Sequence, residues 1–454
     1  MPQSLTAHAE AAPLRCVQTI RAPRKSIGSD STLRLRYPTL SPAWQVAFSV
    51  DARYMAVAFG APDNCVRIYQ QYEGSWRCVD TLQGVHTRAV RSLAFAPLFT
   101  PHAHVLAAAS FDGTITIWEH NNYNNGVDES AIAKKIQNTR QQRTTAEPQP
   151  GQPKEQRQGV DEEYSEEDQH QQDDPQDPPI VTDEWDCKAQ LEGHDNEVKC
   201  VAWNATATML ATCGRDKTVW IWECHLPGQI GSDESDAEWE CLTVLHGHEG
   251  DVKNVMFAPS HQQWGDGDEI LLSCGYDGRI CVWAEDDADW YLASTLHADE
   301  RTTGTIWSMA LAPGGVRAVA SLSDGSIRIY KAYSYEEKQT LGDEAEEGSN
   351  GMWKCVGRLP DAHQGPAYSV SYAPSKAGHG RWASSGADGV LQIYREALTS
   401  TSNEPKFSLE AAATSESTSS SCEWNQVLWH PIDGSRLITV GDDGIVRVWK
   451  YGSY

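Results

Sequence analysis

The chain has 454 residues, 40% of them hydrophobic and 17 of them Trp, enough apolar surface for one large all-β core. Its formal net charge of −26 repels nucleic acid and anionic membrane as general partners. No apolar run approaches the ~18 residues of a membrane-spanning helix, and residues 1–20 lack the apolar core of a secretory signal. The acid-poor stretch Arg15–Arg36 has something of a mitochondrial transit peptide, but Arg15–Ile20 finds a structural use below.

In chain order, seven units repeat. Trp44–Tyr69 holds WQVAFSV, MAVAFG and DNCVRIY; His86–Trp118 holds HTRAVRSLAF, LAAAS and FDGTITIW. Leu191–Trp222 is the clearest: LEGHDNEVKCVAWNATATMLATCGRDKTVWIW. Leu245–Trp283, Leu296–Tyr330, Ala362–Tyr394 and Trp424–Trp449 follow. Each reads as an alternating strand, a small apolar run, a turn carrying Asp, and a β-branched strand closed by Trp or Tyr. Gly-His at the start, Asp in the turn and Trp at the end resemble the WD40 repeat, one blade of a β-propeller that cannot bury its faces alone. The expected fold is all-β, a seven-bladed WD40 β-propeller over residues 1–454. Its blades fall near 37–82, 83–191, 192–245, 246–296, 297–359, 360–409 and 422–454 plus a strand at 14–20.

A fourth, outer strand follows most units: Trp76–Leu82, Trp185–Leu191, Trp239–Leu245, Trp290–Leu296 and Trp353–Leu359, with Pro405–Leu409 in the sixth. The seventh unit has none, but Arg15–Ile20 (RCVQTI) repeats the pattern without its Trp. That strand is expected to complete the last blade and close the ring, leaving no free edge at the seam. Five of the 12 Cys, Cys16, Cys78, Cys187, Cys241 and Cys355, share one outer-strand position. Repetition there suggests packing as small hydrophobes. With no Cys/His spacing of a zinc or iron–sulfur site, no metal or cofactor is expected. Free thiols suit a reducing compartment.

His194, Thr212, Asp216 and Trp222, and likewise His248, Ser273, Asp277 and Trp283, look like hydrolase triads. The set recurs by blade, partially as His363, Ser384 and Asp388, so it reads as an internal network and the protein as no enzyme. The large inserts fall mostly on the face of the loops between strands one and two and between three and four. His120–Glu184 is the longest and is expected to be disordered; from His120 to Thr182 it carries 13 acidic against 6 basic residues. Cys224–Glu238, Lys331–Asn350 and Arg395–Glu404 fall in equivalent loops. The opposite, top face receives Arg21–Arg36 and the Ser-rich Ala411–Ser421. There the residue before each turn Asp lies near the channel mouth: Pro62, Phe111, Arg215, Tyr276, Ser323, Ala387 and Asp442. Phe111, Arg215 and Tyr276 stand out as partner-binding residues, an Arg between aromatics being suited to carboxylates and rings. Trp307 and Tyr368, in the first strands of blades five and six, are further candidates, with core packing as the other reading.

The context C-G-R-D-K-T around Arg215, HTRAVRSLAF with ASFDGT, VLHGHEGDVKNV with YDGRICVW, the W-x-C-V-x-T-L strands and the closing DDGIVRVWKY resemble the WD40 subunit, of fungal type, of the cytosolic iron–sulfur protein assembly (CIA) targeting complex. The resemblance covers all seven units. It departs in the acidic insert, the Arg21–Arg36 loop and a last blade without Gly-His. It implies a non-catalytic scaffold in the cytoplasm and nucleus, acting with a small CIA subunit and a HEAT-repeat CIA subunit. Such a scaffold connects an iron-only-hydrogenase-like cluster carrier to apo-Fe/S clients, holds no cluster itself, and uses a top-face Arg for which Arg215 is the match. Some clients carry a C-terminal tail ending in an aromatic residue, which an Arg-plus-aromatic patch could accept. The rival readings are another WD40 adaptor, a ubiquitin-ligase substrate receptor or chromatin-binding propeller, and an enzyme.

Overall fold

The computed structural model describes residues 14–21, 41–97, 103–121, 185–225, 238–258, 269–286, 289–297, 304–333, 353–375, 380–397, 405–414 and 422–452. The chain divides into one unit of residues 1–120 and 183–454 and a second of 121–182, of which only Asn121 is described. The first is a seven-bladed β-propeller of four-stranded antiparallel sheets. Blade three shows the pattern: Val198–Trp203 inside, then Met209–Gly214, Thr218–His225 and, outermost, Glu238–His246. Second strands such as Tyr54–Phe59 and Ile270–Gly275 are buried throughout, because both faces meet neighbouring blades. Among the described residues no helix is long and apolar enough to cross a membrane.

The seventh blade takes its outer strand from Leu14–Arg21, which pairs antiparallel with Ile445–Tyr451 from Leu14 opposite Tyr451 to Arg21 opposite Ile445. The seam is tied again at the rim. Gln18 Nε2 donates to Trp76 O and Trp76 N donates to Gln18 Oε1, each at 2.9 Å. On the inside, Val46 N donates to Gln426 Oε1 at 2.5 Å and Asn425 Nδ2 to Ala43 O at 3.1 Å. Similar side-chain links run on from blade to blade: Leu93 N to Gln45 Oε1, Val201 N to Ser92 Oγ at 3.2 Å, Met309 N to Asn254 Oδ1 at 3.2 Å.

Two bulges recur in all seven blades. One precedes the closing aromatic and leaves one extra residue in the outer strand: Val79 in blade one, Leu242 in blade three, Glu410 in blade six. The repeated cysteines sit at this bulge, opposite Tyr69, Trp118, Trp222, Tyr330 and Trp449. Cys78 packs against the core of blade one, but the other four do not pack as small hydrophobes. Cys16, Cys187, Cys241 and Cys355 are exposed and Cys78 half-buried. The bulge instead lets each thiol reach the carbonyl two residues on, at 3.4 Å for Cys16 and Cys78 and 3.6 Å for Cys355. The apolar work of the outer strand falls to its Trp. Trp76, Trp185, Trp239 and Trp290 each meet an aromatic at the end of an inner strand, such as Phe48 at 5.6 Å and Trp203 at 5.5 Å.

Five boundaries differ from the sequence reading. The sixth outer strand is Phe407–Thr414, not Pro405–Leu409, so Ala411–Thr414 is strand rather than loop. The third strand runs back to Val390, and its ladder stays open until Thr414 pairs there. His120 belongs to the strand Ile115–Asn121 and packs on Trp185 at 5.2 Å, so it is not part of the insert. Cys224, Lys331 and Arg395 likewise lie in third strands. The expected disorder of the acidic insert, and Ala22 to Arg36 of the basic loop, fall outside the described residues.

Candidate protein-binding site

The His–hydroxyl–Asp sets come first, because they decide what is left for binding. In blade three His194 Nδ1 lies 2.6 Å from Asp216 Oδ2 and Nε2 lies 2.8 Å from Thr212 Oγ1, while Trp222 Nε1 donates to the same Oγ1 at 3.0 Å. Blade four repeats this with His248, Asp277 at 2.9 Å, Ser273 at 2.8 Å and Trp283 at 2.8 Å. Blade six has His363 with Asp388 and Ser384. Thr212, Ser273 and Ser384 are fully buried. Thr212 and Ser273 are each held between His and Trp, and Ser384 by His363, so these buried hydroxyls are spent on the blade.

Blade two carries Ala108 opposite Leu93, where blade three has Thr212 opposite Val201. Its hydroxyl comes from the third strand instead: Thr116 Oγ1 lies 2.9 Å from His86 Nε2 and accepts Trp118 Nε1 at 2.8 Å. Blades one and seven lack the His altogether. An Arg two residues before the closing aromatic reaches the turn Asp instead, Arg67 to Asp63 at 2.8 Å and Arg447 to Asp443 at 2.5 Å. Blade five has Arg328 at that position; burial would raise the Asp324 carboxyl, but hydrogen bonds from Ser326, with the charges of Arg358 and Arg328, hold it down. Burial would raise the carboxyls of Asp216, Asp277 and Asp388. The hydrogen bonds from His194, His248 and His363, with those from neighbouring turn residues, outweigh it and hold them below the usual carboxylate range.

The second recurrent bulge opens every inner strand, and its extra residues are Trp44, Arg91, Lys199, Lys253, Trp307, Tyr368 and Asn425. The residues that follow them, among them Gln45, Cys200, Asn254, Ser308, Ser369 and Gln426, line a channel cavity of about 340 Å³. The bulged side chains therefore stand together at one end of that channel. Arg91 lies over Trp44 at 5.2 Å and Lys253 over Trp307 at 4.9 Å. Trp307 and Tyr368 meet edge-on at 5.2 Å, and Tyr368 Oη donates to Glu423 at 2.9 Å. Burial, with Glu423 beside it, pushes the Tyr368 phenol up to about 12.

The turn residues join this belt. Phe111 takes Lys199 over its ring at 4.9 Å, and Arg88 donates to Phe111 O at 2.6 Å. Glu197 is the hub: Arg88 pairs with it at 2.7 Å, Lys199 at 3.0 Å and Arg215 at 3.6 Å. Burial would raise the Glu197 carboxyl, but hydrogen bonds from Lys199 and Arg88 hold it down. Arg215 is 54% exposed, and among the described residues its ion pair is long, so its guanidinium stays open to solvent. Tyr276, 57% exposed, has Lys253 over its ring at 5.1 Å. Burial, with Lys199 beside it, pushes the Lys253 amine down to about 8.

The five candidates thus fall into two linked groups: Phe111 and Arg215 around Glu197, and Tyr276, Trp307 and Tyr368 along Lys253. Trp44, Arg88, Arg91, Lys199, Glu197 and Lys253 were not singled out from the sequence. Their signal was present. Aligning the inner strands AWQV, VRSL, VKCV, VKNV, IWSM, AYSV and WNQV exposes one column that holds a large aromatic or a cation in six of seven.

The WD domain, G-beta repeat family matches residues 76–119, 185–223 and 239–284. A protein of Botryotinia fuckeliana named "Probable cytosolic iron-sulfur protein assembly protein 1" is 31% identical over 436 residues, 87% of this chain and 90% of its own length. A Candida glabrata protein of the same name is 32% identical over 399 residues, 87% of this chain and 91% of its own. For a Chaetomium globosum protein, again of that name, the values are 31% over 314 residues, 59% of this chain and 66% of the relative.

Proposed function

The chain belongs to the cytosolic iron-sulfur protein assembly protein 1 family, and from this we propose that it serves maturation of cytosolic Fe/S proteins as a WD40 scaffold. Its task is to bring a cluster carrier and apo-protein clients together. The observation that carries this reading is the belt at the channel end: three aromatics and three cations on bulged inner-strand positions, bordered by Arg215, Phe111 and Tyr276. Rings and guanidinium groups presented on a rigid scaffold are the usual anchors of protein interfaces. Cations that are only partly neutralised by Glu197 and Asp251 favour an acidic partner segment, such as a client tail ending in an aromatic carboxylate.

In this proposal the partners are a small CIA subunit, a HEAT-repeat CIA subunit, an iron-only-hydrogenase-like carrier and apo-Fe/S clients, and the scaffold works in both cytoplasm and nucleus. The blade triads support a non-catalytic role, since each buried hydroxyl is already committed to a His, and in blades two, three and four to a Trp as well. Depletion of the protein in cells tests the reading. Cytosolic Fe/S enzymes are expected to lose activity while mitochondrial ones keep it. Unchanged cytosolic activity, with cullin adaptors or histones in the pull-down, would point to another kind of WD40 adaptor.

A further inference from the structure

Blade three opposes two thiols. Cys200 on the inner strand and Cys213 on the second are direct partners in the antiparallel ladder. At the same register the other blades place Gln45 with Ala58, Ser92 with Ala109, Asn254 with Cys274, Ser308 with Ser321, Ser369 with Ser385 and Gln426 with Val440. Directly opposed antiparallel residues have Cα atoms about 4.5–5.5 Å apart, inside the roughly 4.4–6.8 Å that a disulfide spans. Both thiols are buried, and both reach the inner strand of blade four: Cys200 Sγ to Val255 O and Cys213 Sγ to Val252 O, each at 3.7 Å. Asn254 Nδ2 donates to Cys200 Sγ at 3.5 Å. Cys200 alone of the pair lines the channel cavity of about 340 Å³, which is wide enough for a water-sized molecule.

The two sulfurs differ in character. A hydrogen bond from Cys213, outweighing burial, holds the Cys200 thiol down to about 6, whereas burial pushes Cys213 well up. The thiolate is the nucleophile of sulfur chemistry. Cys200 therefore has the donor from Asn254 and the access, and Cys213 stands opposite it as the second thiol.

We propose that Cys200 and Cys213 are an oxidation site, closed to a reversible disulfide by hydrogen peroxide entering the channel. The Cys200 thiolate attacks one peroxide oxygen, the O–O bond breaks, and the departing hydroxide takes a proton to leave as water. Cys200 is then a sulfenic acid. Cys213 sulfur attacks the Cys200 sulfur, the S–O bond breaks, and a second water leaves with the Cys213 proton. The two thiols lose two electrons and the peroxide gains them. The bond would tie the inner strand, one residue after Lys199, to the second strand, two residues before Arg215.

Peptide mapping tests this on the full chain. The folded protein is treated with hydrogen peroxide, quenched with catalase, denatured, alkylated with N-ethylmaleimide and cleaved after Lys and Arg. The fragment Cys200–Arg215 contains both cysteines and no other. It is expected lighter by two hydrogens with no alkyl group, and dithiothreitol before alkylation restores both labels. Cys213→Ser is expected to leave a sulfenic acid at Cys200 that dimedone traps, and Cys200→Ser to leave Cys213 fully alkylated. The idea is overturned if the wild-type fragment keeps both labels at doses that oxidise the exposed Cys16, Cys187, Cys241 and Cys355. It is equally overturned if Cys213 oxidises as readily in Cys200→Ser. Should either variant fail to fold, the wild-type fragment still decides, and its mass reads the bond whatever the scaffold binds.

Discussion

Blades two, three, four and six secure the turn Asp with a His, and blades one and seven secure it with an Arg. The two solutions meet one need: a carboxylate half-buried in a tight turn must have a partner. The His reaches in from the loop before the inner strand, and needs a hydroxyl for its other nitrogen. That hydroxyl is recruited from whichever strand has one, Thr212 on the second strand of blade three or Thr116 on the third strand of blade two. The Arg rises from the third strand itself, four residues after the Asp, and needs no hydroxyl. What the fold requires is the tied Asp, and the residue that ties it is free to change.

Removing Leu14–Arg21 should have the largest effect, because it strips the seventh blade of its outer strand and the rim bonds to Trp76. Thermal unfolding should show a loss above about 4 kcal/mol, beyond the ordinary range of single substitutions. An unchanged melt would mean that the ring closes without this strand. Next, Arg447→Met leaves Asp443 without its buried partner and should cost about 3–5 kcal/mol by chemical denaturation. The same change at the exposed Arg215 should cost almost nothing. Thr212→Val deprives both His194 and Trp222 of their hydroxyl and should cost about 1–3 kcal/mol. A cost equal to that of Arg447→Met would erase the distinction between the two kinds of blade.

The His blades should also set the acid limit. Asp216, Asp277 and Asp388 have folded pKa values below their unfolded ones, so their contribution is complete above the unfolded value and disappears as pH falls through the folded one. Stability should hold near neutrality and decline below about pH 4. Asp216→Asn should lower the melting temperature at pH 7 and lose less of it between pH 5 and pH 3. An equally steep acid loss in that variant would place the titrating groups elsewhere.

Much of this was legible in the sequence. The strand grammar located seven blades, and RCVQTI located the strand that closes the seventh, because outer strands differ little from blade to blade. The Arg solution was equally visible in DNCVRIY and DGIVRVW, yet it emerges only when the blades without Gly-His are compared with one another. The cysteines misled for a physical reason. Repetition at one outer-strand position suggested packing, but a bulge beside the closing aromatic turns four of the five thiols outward. A bulge likewise hid the belt, since Arg91, Lys199 and Lys253 look like ordinary solvent-facing strand residues until it aims them at the channel end. At Ala411–Thr414 small residues imitated a loop, whereas the open ladder of the third strand made them strand.

We propose that the Asp ties hold the blades while the belt with Arg215 binds partners. This is tested most directly by restoring depleted cells with Arg215→Glu, Tyr276→Ala double-variant protein, both positions more than half exposed, whose melting temperature matches the wild type, and measuring cytosolic Fe/S enzyme activity. The account expects the variant to fold within about 0.5 kcal/mol of wild type, as exposed substitutions do, and to leave that activity at the depleted level. Full restoration by the double variant would contradict it.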